Sequence, residues 1–69
     1  MLKPEIEAAI RDLPAILDVP EVCSFLRVSS ATVRRELHRA GGIRGYIADG
    51  EWCIARADLA DYLERNATL

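Results

Sequence analysis

A small, mainly α-helical fold carrying one β-hairpin is what this 69-residue sequence predicts. Three observations lead to it. Helix-start signals at Asp18 and Ser29 lie so close together that the helices between and after them are short and tightly joined. Asp49-Gly50 separates two β-type runs, a strong signal for a two-residue hairpin turn. Beyond that turn, Leu59, Tyr62 and Leu63 return to helical spacing. The order is helix, helix, turn, helix, hairpin, helix, within one domain over residues 1–69.

Pro4 opens the first helix, because the N–H it lacks has no partner in a first turn anyway. Ile6, Ala9, Ile10 and Leu13 follow at helical spacing until Pro14 stops the helix, which occupies residues 1–14. A helix of about ten residues is not stable alone, so it must pack on its own core or on a partner chain. Asp18 caps the second helix, Glu21 completes a capping-box arrangement, and Pro20 falls in the permissive first turn. Val19, Val22 and Leu26 form its apolar stripe, flanked by Cys23 and Phe25, and it ends near Arg27. Ser29 caps the third helix, residues 30–39, with Val33, Leu37 and Ala40 on the buried side and Gly41-Gly42 as terminator. Two short helices so tightly connected cannot lie antiparallel; they cross at a large angle, as a helix-turn-helix.

The runs 43–48 and 51–54 pair across a type I′ turn at Asp49-Gly50. That register sets Ile47 opposite Trp52 and Gly45 opposite Ile54, and together with Ile43 these face the core. Arg44, Tyr46, Ala48, Glu51 and Cys53 take the other face. The last helix runs from about residue 56 to 66 and ends in a frayed tail.

Composition narrows the function classes. No apolar run approaches the ~18 residues of a membrane span, so no membrane partner is expected. The N-terminal stretch turns acidic at Glu5 without an apolar segment, so the chain reads as cytoplasmic rather than secreted. Cys23 and Cys53 lack CxxC spacing and His38 is the only histidine, which leaves a zinc site short of its about four ligands. Two buried, reduced thiols are expected, and no metal or other cofactor. With no Ser/His/Asp set and the acids scattered over surface faces, no catalytic residue is assigned and the chain does not read as an enzyme.

The net charge of −2 hides a segregation. Residues 27–44 hold Arg27, Arg34, Arg35, Arg39 and Arg44 against Glu36 alone, a net of +4. The remainder holds four basic residues against ten acids, a net of −6. One basic block on an acidic body fits a chain that presents a single face to a polyanion. At about 100° per residue, Ala31, Arg35 and His38 lie opposite the buried stripe of helix 30–39, flanked by Thr32, Arg34 and Arg39. Small residues at the N-terminal end let the backbone approach duplex DNA, where Ser30 and Thr32 reach phosphates or base edges. The fork of Arg35 matches the paired acceptors of guanine, and Arg34, Arg39 and Arg44 are placed as phosphate clamps, although reader and clamp can exchange roles. Plainer roles stand beside these: Ser29 as a cap only, Arg34 paired with His38 or an acid at helical spacing, and Trp52 as core.

Residues 17–37, with Leu17-Asp18-Val19-Pro20-Glu21-Val22, Val28-Ser29 and Thr32-Val33-Arg34-Arg35, resemble the opening of the excisionase-type, MerR-like winged helix-turn-helix family. The run Trp52-Cys53-Ile54-Ala55-Arg56-Ala57-Asp58-Leu59 is similar to that family's W-x-I-P-R-A-D-L, and the likeness covers about residues 16–64. The resemblance implies a recognition helix in the major groove beside a β-wing, with Ser30, Thr32, Arg34 and Arg35 at DNA-facing positions. It also implies an excisionase (a recombination directionality factor) or a small transcriptional regulator of a phage or mobile element. Arg27 replaces the family's turn glycine, which suggests a turn not restricted to glycine, and Ala55 replaces a proline. Asp49 and Glu51 make acidic a wing that relatives keep basic. Double-stranded DNA is therefore the expected partner, with self-association or cooperative binding on DNA and an integrase as further ones. The alternative is a winged-helix protein-interaction module that does not touch DNA.

Overall fold

The computed structural model describes residues 4–66. Residues 1–3 and 67–69, and with them the expected frayed tail, lie outside that range. The elements are α1 (Pro4–Ile10), β1 (Ile16–Leu17), α2 (Val19–Leu26), α3 (Ser30–His38), β2 (Tyr46–Ala48), β3 (Glu51–Ala55) and α4 (Arg56–Arg65). With its hairpin following the paired helices α2 and α3, the architecture is a winged helix-turn-helix.

α1 is short and buries Ile10, while Ile6 is half-buried and Ala9 faces solvent instead of the core. The N–H of Leu13 donates to the Ile10 carbonyl at 3.0 Å, closing a final turn ahead of Pro14. α1 packs on α4, so its apolar side meets this chain's own core.

The α2 start is a full capping box: the Glu21 N–H donates to Asp18 Oδ1 at 2.8 Å, and the Asp18 N–H to Glu21 Oε1 at 3.0 Å. Its C-cap, Arg27, adopts φ 59° and ψ 47°. This left-handed region is open to arginine at a cost, so the turn is not restricted to glycine but keeps the conformation glycine favours. Ser29 Oγ then accepts the Thr32 N–H at 3.2 Å and starts α3.

α3 stops at His38, with Arg39 already extended as C-cap, so Ala40 lies outside the helix and is exposed, not buried as expected. The chain folds back instead: the Ile43 N–H donates to the Glu36 carbonyl at 3.0 Å, and Ile43 takes the buried place. Gly42 passes so close beneath that carbonyl that a Cβ there would overlap the Glu36 oxygen.

The sheet has three strands in the order β1-β3-β2. β1, pairing Ile16 with Ala55 and Leu17 with Ile54, adds a third strand to the expected hairpin; its two residues carry no readable period. β2 and β3 pair as expected, Ile47 with Trp52, across Asp49 (φ 52°) and Gly50 (φ 78°), the two positive φ values of a type I′ turn. Ile47 does not join the core, being 61% exposed: all of β2 projects past the body, while Ile43 and Ile54 are buried and Trp52 half-buried.

Leu17, Val22, Val33, Ile54 and Leu59 are fully buried, one each from β1, α2, α3, β3 and α4. Every element but α1 and β2 therefore fixes α3 through this cluster. Cys23 and Cys53 are free thiols, as expected, but half-buried rather than buried.

Candidate nucleic-acid interface

Ser30, Ala31, Arg34, Arg35 and His38 all open to solvent from α3, and Thr32 is half-buried. The first turn is held from within: Thr32 Oγ1 lies 3.1 Å from Ser29 Oγ, and Arg35 Nη2 donates to Thr32 Oγ1 at 3.4 Å. Arg35 thus lies back over the N-terminal half of the helix. Arg34 lines a cleft of about 290 Å³ between the start of α2 (Asp18, Pro20) and the hairpin (Gly50, Glu51, Trp52). The His38 ring meets Trp52 edge to face, with centroids 5.6 Å apart at 86°, which ties the wing to α3.

Arg39 is placed differently. Its Nη2 donates to Glu36 Oε1 at 2.7 Å and its Nε to both carboxylate oxygens at 3.1 and 3.0 Å, while the Tyr62 hydroxyl donates to Oε1 at 2.9 Å. Those bonds, Arg39 first and Tyr62 second, hold the Glu36 carboxyl below its ordinary range. The same ion pair raises Arg39. Burial, then the bond to Glu36, pushes Tyr62 upward. Arg65 completes this end of α3 by donating to the Gly41 and Gly42 carbonyls at 2.7 and 3.1 Å while paired with Asp61 at 2.8 Å. Exposed Arg44 lines the neighbouring cleft of about 420 Å³ beside Arg39 and Arg65.

The arginines therefore fall into two sets. Arg39, Arg56 and Arg65 donate to carboxylates or carbonyls of this chain. Among the described residues, Arg11, Arg27, Arg34, Arg35 and Arg44 form no ion pair, and Arg35 bonds only the Thr32 hydroxyl. Four of these five belong to the basic block at 27–44. The engagement of Arg39 was missed from sequence although its i,i+3 spacing from Glu36 was a usable signal; the Tyr62 hydroxyl, 26 residues away, left none. The described residues hold no group of three or more potential metal ligands.

A hairpin braced against the second of two tightly joined, contacting helices, with unpaired guanidinium groups along that helix, defines a winged helix-turn-helix module. The chain belongs to the family described as helix-turn-helix domain, an excisionase-like family whose model matches residues 16–67. No curated protein and no solved structure gives a match. Membership supports a DNA-binding role with DNA as partner, and the family is typically non-enzymatic. Among the described residues no helix is long and apolar enough to cross a membrane.

Proposed function

We propose that this protein binds duplex DNA sequence-specifically, seating α3 in the major groove as an excisionase-type architectural factor or a small regulator of a mobile element. The observation that supports this reading is the sorting of the arginines: Arg34 and Arg35 on α3 and Arg44 beyond it form no ion pair, while Arg39 is paired with Glu36 and Arg56 and Arg65 serve the fold. Arg35, over the first turn with Ser30 and Thr32 nearby, is the base reader. Arg34, beside the wing, and Arg44, in the loop before it, are phosphate contacts. Arg39, closed on Glu36, leaves the phosphate-contact set. Function in the cytoplasm at the nucleoid, alongside an integrase, is the setting this role implies.

Selecting bound sequences from a random duplex pool yields the site for the decisive test. Replacing Arg34 and Arg35 together with Ala is expected to lower affinity for that site by about 30-fold or more, with the circular dichroism of the wild type retained. A folded double variant that protects the same site would remove α3 as the reader. The second reading, an interaction module without DNA contact, draws on the acidic wing and its exposed Tyr46 and Ile47. Absence of any salt-dependent DNA binding by the wild type would favour it.

A further inference from the structure

We infer that Glu36 competes with the DNA backbone for Arg39, and so limits how tightly this protein holds a duplex of any sequence. Of the arginines in the basic block at 27–44, Arg39 alone has a carboxylate partner among the described residues. That partner is held from two sides. Arg39 donates to it through Nε at 3.1 and 3.0 Å and Nη2 at 2.7 Å, and the Tyr62 hydroxyl donates to Oε1 from α4 at 2.9 Å. An exposed ion pair is ordinarily weak, because two long side chains must be ordered to make it. Here Tyr62 already orders the carboxylate, and the bonds from Arg39 and then Tyr62 favour its charged form. The two partners are unequally open: the Glu36 side chain is 18% exposed and that of Arg39 47%. Arg39 thus faces solvent with its charge already answered.

Its position makes that pairing matter. Arg39 lines the cleft of about 420 Å³ together with Arg44, the phosphate contact of the loop before the wing, and Arg65. Arg65 is committed to the fold, donating to the Gly41 and Gly42 carbonyls as well as to Asp61. A backbone phosphate that reaches Arg44 therefore comes up beside one guanidinium that the fold needs and one that a single side chain holds back. The Glu36 carboxylate is separable from the local fold, because the return of the loop rests on the Glu36 carbonyl, which accepts the Ile43 N–H at 3.0 Å. Phosphate contacts supply nearly all sequence-independent affinity. A carboxylate that removes one cation from this face lowers binding to every duplex alike and leaves discrimination to Arg34 and Arg35.

This role rests on the DNA-binding reading, and the measurements tell the two apart. Affinity of the full chain for a mixed-sequence duplex of about 20 base pairs is followed from roughly 50 to 300 mM salt. Glu36→Gln keeps an oxygen for the Tyr62 hydroxyl. It should steepen the slope of log affinity against log salt by about 0.9 and tighten binding about fivefold near ~0.1 M. Adding Arg39→Ala should return the slope to the wild-type value. Asp61→Asn, the same change of charge beside Arg65, should leave it unmoved. A Glu36→Gln protein with wild-type circular dichroism and wild-type slope overturns the competition. A steeper slope that survives Arg39→Ala, or that Asp61→Asn matches, overturns it too. Where the amide prevents folding, Glu36→Ala makes the same test with a residue of high helix propensity. A wild type that binds no duplex at low salt overturns the DNA reading itself and leaves Glu36 a purely structural partner of Arg39.

Discussion

The two ends of α3 are built on opposite principles. At the N-terminal end, a serine cap and one long hydrogen bond from Arg35 to Thr32 organise the turn, and the side chains stay open to solvent. At the C-terminal end, Glu36 gathers Arg39 and Tyr62, Arg65 closes on the glycine carbonyls, and Gly42 is wedged beneath the Glu36 backbone. A cation at the first end is free for a ligand, and one at the second has an anion already. The number of arginines on a helix is therefore a poor measure of its affinity for phosphate; what each guanidinium already bonds decides.

The contrast can be broken hardest at Gly42. Gly42→Ala forces a Cβ into the Glu36 carbonyl and should destabilise the fold by about 1–3 kcal/mol in urea unfolding. Salt dependence sharpens the contrast next. Arg34→Ala should make the slope of log affinity against log salt shallower by about 0.9, and Arg39→Ala should leave it unchanged. An equal loss from both would place Arg39 among the phosphate contacts after all. The smallest effect is on pH. The depressed Glu36 carboxyl contributes stability that is complete above its ordinary value of 4.5 and is lost as pH falls through the lower folded value. Glu36→Gln should flatten that acid limb of the denaturation midpoint. Tyr62, raised above 10.0, contributes below that pH and loses its contribution as pH climbs through the folded value, a limb Tyr62→Phe should remove.

Which of these features were readable follows from how local they are. The capping box at Asp18, the Ser29 cap and the type I′ turn each depend on residues two or three apart, and each appears where the spacing places it. The Ile47–Trp52 register follows from the turn. Its burial does not, because how far a hairpin extends beyond the body is a matter of tertiary placement, and Ile47 is exposed in correct register. Ala40 misled in the same way: the helical period continues through it, but Gly42 and Ile43 turn back onto Glu36 before it can pack. The exposed face of α3 is legible from its period; the bracing of the Glu36 carboxylate by the Tyr62 hydroxyl, beside its local pair with Arg39, depends on a residue from α4.

The start of α4 carries a practical consequence for where this module can be cut. Its N-cap, Ala55, supplies no side-chain bond, and the acceptors come from the other end of the sequence. The Arg56 N–H donates to the Ala15 carbonyl at 2.8 Å and its guanidinium to that of Leu13 at 2.7 Å. The family match begins at residue 16, one position after the last of those carbonyls. A fragment trimmed to the matched span would lose both acceptors as well as the helix packed on α4. The thermodynamic unit thus begins upstream of the homologous one, and expression boundaries drawn from homology alone would remove part of the fold.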